Sequence, residues 1–205
     1  MTLFFTLIRN FIGFPSERYC LFRHTIIERN FDDFMPTIRN FEDFMLQDIK
    51  EMESLELKGY NFNSRRKSTE IALNNGVVVF CVFVNKELAH VGKLALTENA
   101  KRYVDNLPFK VDFNQGEACT GGTWTSPKFR GKGLMKYGYY QRFEFLRGLG
   151  IKTSRNAVNI TNIASRRVHE KFNPEIYGEA KSRKLFFIFT FWNEKPWNHP
   201  SNQVS

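Results

Sequence analysis

Hydrophobic positions in the first quarter of the chain recur with the period of a helix. Between residues 31 and 52, phenylalanine, isoleucine and methionine return every three or four positions, which is the spacing of one helix face. Because Pro36 suits a first helical turn, we expect the main helix here to run from about Pro36 to Ser54. The stripe is expected to pack on a core, with a partner-binding face as the alternative. The strand "RYCLFRHTII" precedes it, and a shorter helix over "SRRKSTEIALNNG" follows.

Runs rich in β-branched and aromatic residues dominate the middle of the chain. The segments "GVVVFCVFVN" and "ELAHVGKLALT" flank Asn85-Lys86, and this arrangement predicts a hairpin. A polar connection over 98–114 leads to a further strand, "EACTGGTWTS", whose interior glycines indicate a bulge or a closely approaching backbone.

The last third returns to alternating helices and strands. We expect a helix from Gly131 to about Arg147, a strand from Ile151 to Val158, a helix from Thr161 to Phe172, and a long closing strand, "SRKLFFIFTFW". This order predicts an α/β (α+β) fold, with a single mixed, mostly antiparallel central sheet flanked by helices. The 205 residues suffice for one core, so we predict a single domain over 1–205, with a docking segment at 1–18 and a flexible tail at 193–205.

The charge of the chain favours an anionic partner. A formal net charge of +9 suits nucleic acid, a membrane surface or a phosphate-bearing small molecule. The apolar N-terminal stretch lacks the basic n-region and small-residue cleavage site of a signal peptide, and Arg9 interrupts it too early for a membrane span. We expect it to be a docking segment, with a membrane anchor as the alternative. Three scattered cysteines at no metal-ligand spacing predict a reducing cytoplasm and no metal.

One short segment, "SPKFRGKGLMKYG" at residues 126–138, concentrates cations on a glycine turn in front of a helix. Unpaired amides and the positive end of the helix dipole attract anions at such a position. Gly131 and Gly133 would let phosphate oxygens approach, and Lys128, Arg130, Lys132 and Lys136 add charge. A pyrophosphate cradle and a solvated basic turn both remain open. The spacing excludes a P-loop and a dinucleotide fingerprint.

The turn resembles the acyl-CoA cradle of the GNAT superfamily of N-acyltransferases, whose motif is [QR]-x-x-G-x-[GA]. Five of its six positions are matched from Arg130 to Leu134, and Met135 stands at the sixth. A second resemblance lies in "TNIASRRVHEKFN", where Asn162, Ser165 and Lys171 match a helix-opening motif of that family. His169 stands where the family carries a tyrosine, and Asn173 where it carries a glycine.

The resemblance implies an acyltransferase with acetyl-CoA or another acyl-CoA as co-substrate and without a metal. It implies contacts with that cofactor at Trp124, Thr125, Ser126, Arg130, Gly131, Lys132, Gly133, Leu134, Met135, Asn162 and Ser165. Trp124, Thr125 and Ser126 would bind the pantetheine arm through their backbone.

The resemblance also suggests catalytic roles for two side chains. His169 is expected to protonate the departing thiolate as an imidazolium, which would make turnover fall on the alkaline side. Glu117 shares a strand face with Cys119 and Gly121, and is either the base for the amine or a solvated strand-edge carboxylate. A nucleophilic Cys119 has no visible His/Asp partner. His24, His90 and His199 are expected to be structural or to lie at the surface.

Three functions compete at this point. The leading one is transfer of an acyl group from acyl-CoA to a small-molecule or peptidyl amine by direct attack. The alternatives are a nucleic-acid-binding module, favoured by charge and aromatic content but without a recognised motif, and a non-catalytic acyl-CoA sensor. The sequence does not identify the acceptor amine, and it leaves open whether the protein forms a homodimer.

Overall fold

A single mixed sheet forms the centre of the protein in a computed structural model, which describes residues 16–185 and 189–197. The strands are β1 (Ser16–Thr25), β2 (Phe41–Leu46), β3 (Val78–Val84), β4 (Glu87–Ala95), β5 (Glu117–Thr125), β6 (Thr153–Asn159), β7 (Glu175–Leu185) and β8 (Phe189–Pro196). They lie in the order β2-β3-β4-β5-β6-β1-β7-β8. The β5–β6 pair is parallel and the other neighbours are antiparallel, which confirms the predicted fold class.

Five α-helices in the described residues cover the two faces of this sheet. They are α1 (Ile49–Leu57), α2 (Arg66–Leu73), α3 (Glu98–Val104), α4 (Leu134–Gly148) and α5 (Ile163–Glu170). Apolar residues of α1, α2 and α3 share one core cluster with Val79, Cys81 and Phe83 of β3. The alternate β3 residues Val78 and Phe80 pack with α4 on the other face. Every residue of β3 is therefore buried, as expected of a strand covered on both sides.

The predicted helix from Pro36 to Ser54 is wrong. Phe41–Leu46 forms the edge strand β2, which pairs along its whole length with β3. Helix α1 begins only after Asp48, whose side chain accepts a hydrogen bond from the Glu51 amide in a capping box. The pairing of β2 with the buried strand β3 outweighs the helical spacing of the phenylalanines. A strand and a helix would both place these rings near the core, so the spacing alone does not decide between them.

Three smaller expectations also need correction. The connection over 98–114 contains α3, which is capped by the Thr97 side chain. The single closing strand is a pair of antiparallel strands, β7 and β8. Strand β8 extends to Pro196, so the first residues of the predicted tail are strand, while 198–205 and residues 1–15 of the docking segment lie outside the described residues.

Strand β1 confirms the first predicted strand but lies far from its sequence neighbours. It is inserted between β6 and β7 and is antiparallel to both. The chain then crosses from the end of β1 to β2 at the opposite edge of the sheet. The segment between them, residues 26–40, passes along α4, where Phe31 and Phe34 contact Tyr140. This crossing brings N-terminal residues beside the glycine turn.

Candidate active site

The parallel strands β5 and β6 separate after three residue pairs. Glu117, Ala118 and Cys119 are paired with Thr153, Ser154 and Arg155. Beyond them, residues 120–125 of β5 and 156–159 of β6 continue as strands without pairing to each other. We call the space between these two stretches the β5–β6 opening. It leaves backbone hydrogen-bonding groups available at the centre of the sheet.

A β-bulge in β5 bends this strand at the opening. Val91 and Lys93 of β4 are paired with Trp124 and Gly121, so β5 carries one residue more than β4 between the two pairs. Gly122 lies in the bulge with φ of 53°, a left-handed conformation that favours glycine. The structure therefore confirms the bulge predicted from the two glycines.

A buried arginine supports the bulge from the α4 side. Arg142 is 0% exposed, and its Nη1 donates to the carbonyls of Gly121 and Lys93, each at 3.3 Å. A Cβ at Gly92 would lie 2.7 Å from the guanidinium carbon, so only glycine leaves room there. The guanidinium also lies 3.8 Å from the centre of the Tyr139 ring. Arg142 thus holds the wall of the opening without a carboxylate partner in the described residues.

The β5–β6 opening forms a cleft of about 160 Å³. Side chains from α4 and α5 lie on one side of it, and Asp105, just after α3, lines it as well. The lining residues are Asp105, Thr120, Gly121, Gly122, Thr123, Met135, Tyr139, Asn156, Ala157, Val158, Asn159, Asn162, Ser165 and His169. Four residues predicted from the sequence, namely Met135, Asn162, Ser165 and His169, therefore meet in one place.

The glycine turn stands directly before α4. Gly131 and Gly133 have φ of 73° and 81°, and Gly133 is the N-terminal cap residue of the helix. The amide of Tyr137 donates to the Gly133 carbonyl at 3.0 Å, so the amides of 134–136 belong to the unpaired first turn. A Cβ on Gly131 would meet no atom within 4 Å, whereas one on Gly133 would lie 3.4 Å from Pro36 Cα. The space above Gly131 is therefore open to a ligand.

Two of the four cations predicted at this turn have partners of their own. Lys128 forms a salt bridge with Glu87 at 2.6 Å, and Lys136 Nζ donates to the Asp33 carbonyl at 2.5 Å. Arg130 stays beside the turn, where its Nε donates to the Thr125 carbonyl at 3.3 Å. Two of the four cations expected around the turn therefore have partners within the protein, and their contact with a bound anion stays a prediction.

The backbone groups of residues 124–126 form hydrogen bonds on two sides, to β4 and to Arg130. The Ser126 amide donates to the Ala89 carbonyl at 2.9 Å, and Trp124 is paired with Val91 of β4. Because hydrogen bonds alternate in an antiparallel ladder, the Thr125 backbone faces the other side, where Arg130 reaches its carbonyl. Of the three residues expected to offer backbone groups to pantetheine, Thr125 is the one directed away from β4.

Asn162 begins α5 as a helix cap. Its Oδ1 accepts a hydrogen bond from the Ser165 amide at 3.1 Å, so the matched Asn and Ser positions are explained first by helix capping. Asn173, at the position of the family's glycine, has φ of 47°. Asparagine tolerates this left-handed conformation better than most residues, and so it can stand in for glycine after the helix.

His169 lines the cleft but is fully buried within α5. Its Nδ1 lies 3.0 Å from His24 Nε2, and Asn156 Nδ2 lies 3.1 Å from its Nε2. Burial, assisted by the charge of Arg142, lowers the pKa of His169 well below its usual range. The lowered pKa disfavours the imidazolium form, so this geometry gives no support to His169 as the acid, and that role stays a prediction.

The other histidines and the cysteines occupy structural positions where the structure describes them. His24 pairs with His169, and His90 Nδ1 lies 2.8 Å from Thr125 Oγ1. Both are buried, while His199 lies outside the described residues. Burial raises the pKa of the Cys119 thiol to about 12, which leaves it protonated and unsuited as a nucleophile. No group of three or more metal-ligating side chains occurs in the described part of the chain.

Glu117 is held at the closed end of the β5–β6 pair. Its carboxylate forms a salt bridge with Arg155 at 2.6 Å and accepts a hydrogen bond from the Asp112 amide at 2.9 Å. Burial raises the pKa of Glu117, but the hydrogen bonds from Arg155 and Asp112 outweigh it, so the pKa is lowered. The residue is absent from the lining of the cleft. Its role as a base stays a prediction without support from this geometry.

Two polar residues of the cleft were missed by sequence reasoning. Asp105 lies close to Gly121, since a Cβ added at Gly121 would be 3.8 Å from Asp105 Cβ. Burial raises the pKa of Asp105. Tyr139 accepts a hydrogen bond from Asn156 Nδ2 at 3.3 Å and contacts the His169 ring edge to face, with ring centres 4.5 Å apart. Asp105 was part of a supposed polar connection, and Tyr139 part of an apolar helix stripe. The cap at Thr97 is the signal that could have revealed α3 and placed Asp105 at its end.

Comparison of the whole architecture with solved structures identifies its fold. A tandem GNAT protein of the clavulanic acid biosynthesis pathway matches 91% of this chain with a TM-score of 0.55 at 12% identity. The chain has a GNAT-like fold. An acetyltransferase of the GNAT family from Colwellia psychrerythraea matches 84% of the chain with a TM-score of 0.50 at 10% identity. The predicted resemblance is thereby confirmed for the fold.

This chain covers less than two thirds of each of the matching structures described here. A conserved protein of unknown function from Staphylococcus epidermidis matches 88% of the chain with a TM-score of 0.53 at 9% identity. The chain spans 65% of that structure, 56% of the tandem protein and 58% of the Colwellia enzyme. No protein-family model and no curated protein matches the sequence. Among the described residues, no helix has the length and apolar character to cross a membrane.

Proposed function

We propose that this protein is an N-acyltransferase that moves an acetyl or other acyl group from acyl-CoA to an amine. The observation that carries the proposal is the β5–β6 opening, which leads through residues 126–133 to the open glycine turn at the start of α4. Acyl-CoA is an extended molecule with a thioester, amides and a pyrophosphate, and these groups match the opening and the glycine turn that follows it. The GNAT-like fold supports the same function.

The donor would lie along the α4 and α5 side of the opening. The Thr125 backbone would pair with the pantetheine amides, and the amides from Gly131 to Met135 would hold the pyrophosphate at the positive end of the helix dipole. Arg130 would add a charge-assisted hydrogen bond to that group. Asn162 and Ser165 line the same cleft and would border the pantetheine arm.

Two side chains would carry the proton transfers. The amine nitrogen attacks the thioester carbon, and its proton passes to Asp105, whose raised pKa makes the carboxylate a better base than an ordinary aspartate. When the carbon–sulfur bond breaks, the Tyr139 hydroxyl donates its proton to the departing thiolate. His169 would then contribute the ring that packs on Tyr139.

The acceptor would approach from the side of Asp105. A small-molecule amine and a peptidyl amine both remain candidates, and a single domain acting in a reducing cytoplasm remains our proposal for the setting. The three buried cysteines, none of which forms a disulfide, support a reducing compartment.

Thermal unfolding with and without CoA tests donor binding. At a CoA concentration one hundred times Kd, binding adds about 2.7 kcal/mol of stability, which corresponds to a rise in Tm of roughly 5–10 °C. Arg130→Ala should weaken CoA binding by roughly tenfold or more, because one charged contact is lost. Arg147→Ala, at the opposite end of α4, is the matched control and should bind CoA like the parent.

The same preparation separates the competing functions. Release of free thiol from acetyl-CoA with a panel of amines supports the transferase. CoA binding without thiol release for any amine or donor chain length would favour the sensor. Sequence-dependent nanomolar binding of an oligonucleotide, without a shift by CoA, would overturn the proposal in favour of a nucleic-acid-binding module.

A further inference from the structure

A second cleft, of about 400 Å³, lies beside the start of α4 and outside the β5–β6 opening. Three cations from separate parts of the chain line it: Arg29 after β1, Lys136 in the first turn of α4, and Lys171 at the end of α5. We call it the three-cation cleft. Glu28, Asn30, Asp33 and Phe34 complete its lining.

The three cations have no carboxylate partners in the part of the chain that the structure describes. Arg29 Nη2 donates to the Phe172 carbonyl at 2.8 Å, and Lys136 Nζ donates to the Asp33 carbonyl. The buried Nε of Arg29 has no hydrogen-bond partner within residues 16–185 and 189–197. None of the three takes part in any of the salt bridges present. Counting Glu28 and Asp33, one net positive charge remains on the cleft.

The cations repel one another across this cleft. Burial lowers the pKa of Lys136, and the nearby charge of Lys171 lowers it further. Asp33 offsets part of this repulsion, but Glu28 and Asp33 together leave one positive charge unbalanced, and a bound dianion would relieve the repulsion that remains. A phosphomonoester supplies two charges and three acceptor oxygens in a compact group.

The three-cation cleft lies next to the glycine turn. Lys136 follows Gly133 by three residues, which is about 4.5 Å along the helix axis. The Thr37 amide donates to the Lys132 carbonyl at 3.0 Å, so the segment that carries Arg29 and Asp33 also contacts the turn. One segment therefore borders both positions.

We propose that the three-cation cleft binds a phosphomonoester, namely the 3′-phosphate of the CoA donor. This inference rests on the proposed function. In CoA the 3′-phosphate and the pyrophosphate are carried by the same ribose, so a ligand with its pyrophosphate at the glycine turn presents its 3′-phosphate close by. The cleft would make the protein select CoA over donors that lack this group, such as dephospho-CoA.

The decisive experiment compares CoA with dephospho-CoA by isothermal titration calorimetry. The parent should bind CoA at least tenfold more tightly, and this ratio should shrink with added salt because the contacts are ionic. The double variant Lys136→Met, Lys171→Met keeps the aliphatic stems and should bring the ratio to within about twofold, with dephospho-CoA affinity unchanged. Lys67→Met, on α2 at the other face of the sheet, is the matched control and should keep the parent ratio.

Two further arms distinguish the sources of failure. Glu28→Gln should increase the preference for CoA, since it removes a negative charge from the cleft. Inorganic phosphate should compete with CoA and not with dephospho-CoA at the same ionic strength. Equal affinity of the parent for both ligands, or an equal loss of both in the double variant, would overturn this inference alone. If neither ligand binds the parent, the proposed function fails together with it.

Discussion

The carboxylates at the two ends of the β5–β6 pair have pKa values shifted in opposite directions. At the closed end, Glu117 faces Arg155 at 2.6 Å, and the hydrogen bonds it accepts lower its pKa despite burial. At the open end, Asp105 accepts one hydrogen bond, from the Leu107 amide at 2.9 Å, and burial raises its pKa. A carboxylate with a fixed cationic partner is stable and unreactive, whereas one with a raised pKa can take up a proton.

This contrast separates structural from chemical use of the same functional group. Glu117 connects the two strands where they are paired, and Asp105 lines the space that their separation creates. A loss of stability without a loss of activity is therefore expected at the closed end, and the reverse at the open end. The following variants test that division.

The largest effect is expected from Asp105→Asn. The amide cannot accept the amine proton, so we expect kcat to fall on the order of 10²-fold with CoA affinity unchanged. Because burial disfavours the charged form of Asp105, Tm at neutral pH should be unchanged or raised. Thiol release and thermal unfolding measure the two effects. Asp112→Asn, which keeps the cap on residues 113–115, is the control, and activity of Asp105→Asn near the parent value would eliminate this base.

Glu117→Gln should have the opposite profile. The change leaves Arg155 without its anionic partner at a site where the two side chains are 12% and 16% exposed, so we expect a loss of about 2 kcal/mol, between the values for exposed and fully buried pairs. Urea unfolding measures this loss. Turnover should stay within about threefold of the parent. A collapse of kcat in a variant that binds CoA normally would instead restore Glu117 as the base.

The features that could be predicted from the sequence share one property, which is that local backbone geometry alone determines their conformation. The turn at Gly131 and Gly133, the cap at Asn162 and the bulge at Gly122 each follow from a conformation that few residues adopt. The fold class followed from the order of strongly patterned segments, and β3 is an example in which all residues are apolar and buried.

What escaped prediction depends on contacts between distant segments. Phe41–Leu46 is a strand because β3 lies beside it, and its own spacing fits a helix equally well. The imidazolium expected at His169 is disfavoured by burial, by His24, which lies 145 positions earlier and only 3.0 Å away, and by the charge of Arg142. Asp105 gains its position from the packing of α3 on β5, of which a single sequence gives no sign.

The pH dependence of the two carboxylates should differ in sign. For Glu117, the folded pKa is lowered, so its contribution to stability is present at neutral pH and is lost as the pH falls from about 4.5 through the lowered value. For Asp105, the folded pKa is raised, so activity should fall on the acid side at a pH above 3.8, while protonation favours the folded state. Carbon-13 NMR titration of the carboxyl groups, assigned with the two variants, measures both values directly. Equal values for the two residues would remove the basis of the division.

The smallest effect is expected from Gly121→Ala, which alters the open end without removing a functional group. A Cβ there would lie 3.3 Å from Val104 Cγ1, 3.5 Å from the Val104 carbonyl and 3.8 Å from Asp105 Cβ. Since only the 3.3 Å contact with Val104 Cγ1 is tighter than ordinary van der Waals contact, Val104 at the end of α3 should shift by a few tenths of an ångström and carry the adjacent Asp105 with it. A displacement of about 1 Å can cost on the order of 10²-fold in rate, so we expect kcat to fall roughly three- to fivefold with little change in CoA affinity.

Gly148→Ala, at the far end of α4 where a Cβ would meet nothing within 4 Å, is the control and should retain parent activity. In the Asp105→Asn background the glycine change should have no further effect on kcat, because the group it displaces no longer takes the proton. An undiminished three- to fivefold loss in that background would mean that Gly121 acts on the donor side of the opening, independently of Asp105.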